Sequence, residues 1–154
     1  MADPKLADSN PILLVEDDPG DAARILAVLE GSGLADAVIL CRDGAEALEY
    51  LCRRGPHARR EARDPAVMLL DLTLPGIDGL EVLAAVKSDP LLRVTPVVML
   101  TASPAESERV RAYELDVNAF LVKPVEPEAV RAALRDLGVL GPVPSARRRA
   151  FSAA

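Results

Sequence analysis

Aromatic residues are scarce in this chain of 154 residues: 3% in all, with no tryptophan, two tyrosines and two phenylalanines. The formal net charge is -6. Together these exclude a general nucleic-acid binder, which needs clustered Lys and Arg for phosphates and rings for base stacking. The basic clusters present, Arg53, Arg54, Arg59, Arg60 and Arg63, and then Arg147, Arg148 and Arg149 near the end, read as solvated loop charges. No apolar run approaches the roughly 18 residues that cross a bilayer. The first residues lack both a basic start leading into an apolar stretch and a small-residue cleavage site. A cytoplasmic protein with no membrane partner is therefore expected. Cys41 and Cys52 have no CxxC spacing, and the single histidine, His57, sits in a loop, so neither a disulfide framework nor a zinc site is indicated. Both cysteines are expected to be small buried hydrophobes.

Half of the residues are apolar, enough for one well-buried core and too few for two ordinary domains. The domain is drawn over residues 10–138, with 1–9 and 139–154 as flexible termini. Five short apolar runs recur, at 12–15, 37–41, 66–70, 97–100 and 119–122. They lack polar alternation, as strands covered on both faces do. Stripes of helical period lie between them: Ile25, Leu26 and Leu29; Ala47, Leu48 and Leu51; Leu80, Leu83 and Val86 or Lys87. Helix starts are marked by Asp18-Pro19, by the pairs Asp43 with Glu46 and Asp78 with Glu81, by Ser103-Pro104 with Glu106, and by Glu126-Pro127. Gly138 closes the last helix. Strand and helix thus alternate five times, which predicts a flavodoxin-like, doubly wound α/β fold with parallel strand order 2-1-3-4-5. In such folds ligands bind beyond the carboxyl ends of the strands, near the switch between strands 1 and 3.

Those ends carry the polar residues. Strand 1 runs into Glu16-Asp17-Asp18, strand 3 into Asp71, strand 4 into Thr101 and strand 5 into Lys123-Pro124. Clustered carboxylates repel one another and raise each other's pKa unless a cation neutralises them. An oxygen-only set with room for water and a phosphoryl oxygen suits Mg²⁺. Asp17 and Asp71 are assigned as direct ligands, Glu16 acts through water, and the Thr73 backbone carbonyl completes the protein's share. In that setting Asp71 can act as a nucleophile toward phosphorus, with Lys123 absorbing charge on the phosphoryl oxygens and the Thr101 hydroxyl donating to one of them. Singly, each of these residues would pass as a cap or turn residue; Asp18 is read as the cap of the first helix.

The strings Ile12-Leu13-Leu14-Val15-Glu16-Asp17-Asp18-Pro19, Leu70-Asp71-Leu72-Thr73-Leu74-Pro75-Gly76-Ile77-Asp78-Gly79, Leu100-Thr101-Ala102 and Phe120-Leu121-Val122-Lys123-Pro124 resemble two-component receiver domains. The resemblance implies Asp71 as phosphoacceptor, Glu16 and Asp17 as the acidic pocket, Thr101 and Phe120 as a coupled switch pair, and Lys123 as the phosphate partner before a cis peptide at Pro124. It implies a sensor histidine kinase as donor and a signalling surface on the fourth helix, fifth strand and fifth helix. Asp116 stands where a glycine is usual at the end of the fourth helix, and Asp tolerates the left-handed conformation there less comfortably than glycine does. The 55–65 loop, the Tyr113-Glu114-Leu115-Asp116-Val117-Asn118 segment and the lack of room for an output domain after Leu137 resemble the small regulators paired with bacteriophytochrome kinases. The signal is then expected to leave through the receiver's own surface, to an unknown protein partner or by homodimerisation. A haloacid-dehalogenase-type phosphatase would need a second Asp where Thr73 stands, so phosphoacceptance with self-dephosphorylation is favoured over turnover. A docking module without the chemistry would not need the full pocket.

Overall fold

The computed structural model describes residues 10–59, 64–111 and 113–141; Arg60, Arg63 and the Arg147–Arg149 cluster lie outside them, as do residues 1–9 and 142–154. The elements alternate as the sequence predicts. They are β1 (Ile12–Val15), α1 (Pro19–Gly31), β2 (Val38–Cys41), α2 (Gly44–Leu51), β3 (Val67–Asp71), α3 (Gly79–Ser88), β4 (Val97–Thr101), α4 (Pro104–Arg111), β5 (Ala119–Val122) and α5 (Pro127–Asp136). Short 3-10 turns occupy Ala35–Ala37, Gly55–His57 and Leu92–Val94. The five strands pair in parallel in the order β2-β1-β3-β4-β5.

Alternation along the strands sorts the core into two layers. Leu13, Val15, Met68, Leu70, Val97 and Met99 face α2, α3 and α4. Ile12, Leu14, Val67, Leu69, Val98 and Leu100 face α1 and α5. Central strands β1, β3 and β4 are buried throughout, which is why they read as unbroken apolar runs. The edge strands differ from the expectation of two covered faces. β2 is only partly buried before Cys41, and β5 ends on Val122 at 42% exposure, because each lacks a neighbour on one side. Among the described residues, no helix is long and apolar enough to cross a membrane.

Helix starts follow the caps. Asp18, Asp43 and Asp78 accept from the amides of Asp21, Glu46 and Glu81 at 2.8, 2.7 and 2.9 Å. Glu46 reaches back to the amide of Arg42, one residue beyond the one a capping box predicts. Ser103 accepts from Glu106 at 3.4 Å, while Glu106 accepts from Ala102 at 2.7 Å. Glu126 makes no side-chain cap, so Pro127 in the first turn carries that start. Gly138 ends α5 with φ 75°, and the chain stays packed beyond it: Val139 and Leu140 both donate to the Leu134 carbonyl and lie against the α1/α5 core. Two further positions differ from the reading of the sequence. Cys52 is exposed because it follows the last turn of α2 on its solvent side, while Cys41 is buried at the end of β2. Asp116 does not take the left-handed conformation; Glu114 does, with φ 56°, since the turn comes immediately after α4 ends.

Candidate functional site

The carboxyl ends of β1 and β3 bring Glu16, Asp17 and Asp71 together, with one carboxylate oxygen from each lying within 4.8 Å of the others. Glu16 and Asp71 are buried and Asp17 is exposed, so the cluster is a cup with one open lip. Lys123, just past β5, reaches across to it. Its Nζ lies 2.8 Å from Glu16 Oε2, 2.8 Å from Asp71 Oδ2 and 3.0 Å from Asp21 Oδ2. Lys123–Pro124 is cis, and the Lys123 amide donates to the Thr101 carbonyl at 2.8 Å. Thr73 donates its amide to Asp71 Oδ1 at 3.1 Å, and Asp18 donates its amide to Glu16 Oε1 at 3.1 Å. The two buried acids are therefore each held from two sides.

Electrostatics follow from this crowding. Burial, and then the hydrogen bond with Asp71, lift Glu16 to about 7; Lys123 and the Asp18 amide pull it back only in part. Burial alone would lower the Lys123 ammonium, yet its close contacts with the Asp71, Glu16 and Asp21 carboxylates reverse the sign and raise it. The cup thus holds more negative charge than one ammonium neutralises. Glu16 Oε2 is buried, and its 2.8 Å contact with Lys123 is an ion pair without a well-directed hydrogen bond. A crowded, oxygen-only donor set of this kind fits a hard divalent cation.

Backbone packing fixes the cup. A methyl group on Gly79 would collide with the Asp71 carbonyl and come within 2.7 Å of Leu72 Cα. The start of α3 can therefore press directly on the end of β3, where the Gly79 amide donates to the Leu72 carbonyl at 2.9 Å. Thr101 ends β4, fully buried, and its hydroxyl lies 3.4 Å from the Ser107 hydroxyl on α4. Phe120, half-buried on β5, packs against the α2/α3/α4 core, and the Arg111 guanidinium carbon sits 4.6 Å from its ring centroid.

Of the residues singled out in the sequence, Glu16, Asp17, Asp71, Thr73 and Lys123 are brought together and Thr101 joins them through its carbonyl, whereas Phe120 lies earlier on β5, registered with Met99. Three contributors were not anticipated. Asp21 lies in the first turn of α1, three residues after the Asp18 cap that accepts from its amide, and reads from sequence as an ordinary first-turn acid. Ser107 and Arg111 carry no local signal, because what they touch comes from other elements.

Comparison with known proteins decides the family. The model of the response regulator receiver domain matches residues 12–135. The chain belongs to the response-regulator receiver family. Response regulator Rcp1 from Synechocystis is 42% identical over 119 residues, covering 75% of this chain and 80% of the relative. Among solved structures, the bacteriophytochrome response regulator RtBRR is 54% identical with a TM-score of 0.81, covering 88% of this chain and 82% of its own. AtBRR, also a bacteriophytochrome response regulator, is 52% identical with a TM-score of 0.80, covering 90% and 99%. A response regulator Rcp1 has also been solved in its Mn²⁺-bound form, at 35% identity and a TM-score of 0.72, covering 88% and 98%. Receivers accept a phosphoryl group from histidine kinases and bind a divalent metal, so this protein is a response regulator whose activity is phosphoryl acceptance.

Proposed function

We propose that Asp71 is the phosphoacceptor of a Mg²⁺-dependent, cytoplasmic single-domain regulator (residues 10–138) served by a bacteriophytochrome-type histidine kinase. The observation that carries this reading is the placement of Asp71. It is buried, within 4.8 Å of Glu16 and Asp17, and 2.8 Å from the Lys123 ammonium. Asp17, Asp71, Glu16 and the Thr73 carbonyl would hold the ion, which supplies positive charge beside the transferred phosphoryl group. An Asp71 carboxylate oxygen forms the new P–O bond as the P–N bond of the donor phosphohistidine breaks, and the imidazole leaves with the electron pair. The Thr73 amide on Oδ1 keeps Asp71 oriented. Lys123 stays with the incoming oxygens, so their charge develops next to a fixed ammonium. Water later cleaves the acyl phosphate to inorganic phosphate and the free carboxylate, which resets the protein without any turnover substrate.

Thr101 and Phe120 would report the change. A hydroxyl drawn toward a phosphoryl oxygen leaves space for the ring, altering the α4–β5–α5 face that meets a downstream protein or a second copy. The kinase class rests on the likeness to RtBRR and AtBRR, at 54% and 52% identity. The test is exposure to acetyl phosphate with and without Mg²⁺, followed by intact mass and peptide mapping. The expected result is one phosphoryl group on Asp71, absent from Asp71→Asn and absent without the metal. An adduct on another residue would overturn the assignment.

A further inference from the structure

α4 is poorly anchored for a helix lying on a core. Of its eight residues only Ser107 and Val110 are buried, and the rest are mostly charged or small. Yet two of its side chains touch the two residues assigned above as the switch pair. Ser107 Oγ lies 3.4 Å from Thr101 Oγ1, and Arg111 lies over Phe120 at 4.6 Å. Ser107 and Arg111 are four residues apart, so they share one face of the helix. On the sheet, Phe120 is the registered neighbour of Met99, two residues before Thr101 on β4.

We propose that Ser107 and Arg111 are positioning residues that latch the resting state, Ser107 holding the Thr101 hydroxyl and Arg111 holding the Phe120 ring. The inference rests on Asp71 being the phosphoacceptor. Both contacts are suited to being given up. At 3.4 Å the hydroxyl pair is longer than the 2.7–2.8 Å of a good O–H···O bond, and an anionic phosphoryl oxygen is a stronger acceptor than a serine hydroxyl. When Thr101 turns away, Ser107, which is 5% exposed, loses its partner in a largely buried position. When the ring moves inward, the exposed guanidinium loses its π face. Uptake at Asp71 therefore breaks both of these contacts of a helix whose one buried apolar residue is Val110. Chemistry in the cup is thereby converted into release of α4.

The chain contains two phenylalanines, Phe120 and Phe151, so incorporation of 4-fluorophenylalanine gives two ¹⁹F signals, assigned with Phe151→Leu. The Phe120 signal is followed while Mg²⁺ and beryllofluoride, a phosphoryl mimic, are titrated into wild type, Ser107→Ala, Arg111→Gln, Arg111→Lys and Arg109→Gln. Loss of a cation–π contact predicts that Arg111→Gln shifts the switching midpoint to lower mimic concentration by about two- to five-fold, with Arg111→Lys recovering part of the effect. Ser107→Ala shifts it in the same direction by about two-fold. Arg109→Gln, which removes a cation from the same helix without touching Phe120, leaves the midpoint unchanged. Midpoints identical to wild type in Ser107→Ala and Arg111→Gln, with acetyl phosphate still modifying Asp71, overturn the latch alone. Failure of wild type to take phosphoryl at Asp71 overturns the underlying reading and the latch with it.

Discussion

Two parts of the sheet's carboxyl edge are built differently. At the ends of β1 and β3 every strand residue is buried, the buried acids Glu16 and Asp71 are held by backbone amides, and Gly79 locks one helix start onto Asp71. Beside them, β5 is half-exposed along its length, α4 buries two residues, and Glu114 carries a left-handed backbone that costs a non-glycine residue about 1 kcal/mol. The first region holds charges at fixed distances, which phosphoryl transfer requires because misplacement by an ångström removes most of the benefit of orientation. The second has little apolar burial to lose, so a small free-energy input can redistribute its conformations. A tightly packed acidic cup and a loosely anchored neighbouring surface thus sit a few residues apart on one sheet.

The sharpest way to break this contrast is to strip the rigid side of its cation. Lys123→Met leaves Glu16 and Asp71 facing each other without their ammonium. Chemical denaturation of the metal-free protein should show a loss of about 3 kcal/mol, the scale for removing one partner of a largely buried pair. Added Mg²⁺ should recover part of that loss, whereas phosphoryl uptake should stay depressed; an unchanged midpoint would mean the acids are far better solvated than their burial implies. Gly79→Ala comes next. Its methyl group must push the start of α3 away from the Asp71 and Leu72 backbone, costing roughly 2 kcal/mol as overpacking and slowing acetyl phosphate labelling of Asp71. Stability lost with labelling intact would show that the cup does not depend on that contact.

Hydrogen exchange sharpens the comparison without a mutation. Amides of β1 and β3 should exchange only through global unfolding, while those of α4 should exchange through local opening and therefore earlier. Equal protection in the two regions would remove the distinction. The smallest effect concerns the thiols. Burial, with help from Glu46 and Asp43, pushes Cys41 up to about 12, so it remains a protonated thiol through neutral and mildly alkaline pH. A disulfide reagent at pH 8 should modify exposed Cys52 in the native protein and reach Cys41 only after unfolding. Rapid reaction of both would mean that β2 opens more readily than its neighbours.

Much of the rigid side was legible beforehand because its signals are local. An Asp before Pro19 caps a helix wherever the chain goes, and an unbroken apolar run followed by acids marks a buried strand with a polar end. The soft side was less legible. Asp116 seemed the natural left-handed residue by analogy with a glycine, but α4 stops at Arg111 and the turn falls on Glu114. Cys52 looked like a core residue by type, yet α2 ends just before it. In both cases a helix terminus decided the outcome, and its position depends on the packing available to the last turn rather than on the residue concerned.

By itself the sequence determined the alternation of strands and helices, the strand order and the set of residues that end up around Asp71, because hydrophobic period, capping chemistry and right-handed crossovers leave few other arrangements. Only the tertiary structure decided that Lys123 is shared among three carboxylates, Asp21 included, and that Ser107 and Arg111 reach Thr101 and Phe120. Such pairings join elements distant along the chain. They depend on how far each helix slides over the sheet, a quantity set by the whole core and written in no single segment.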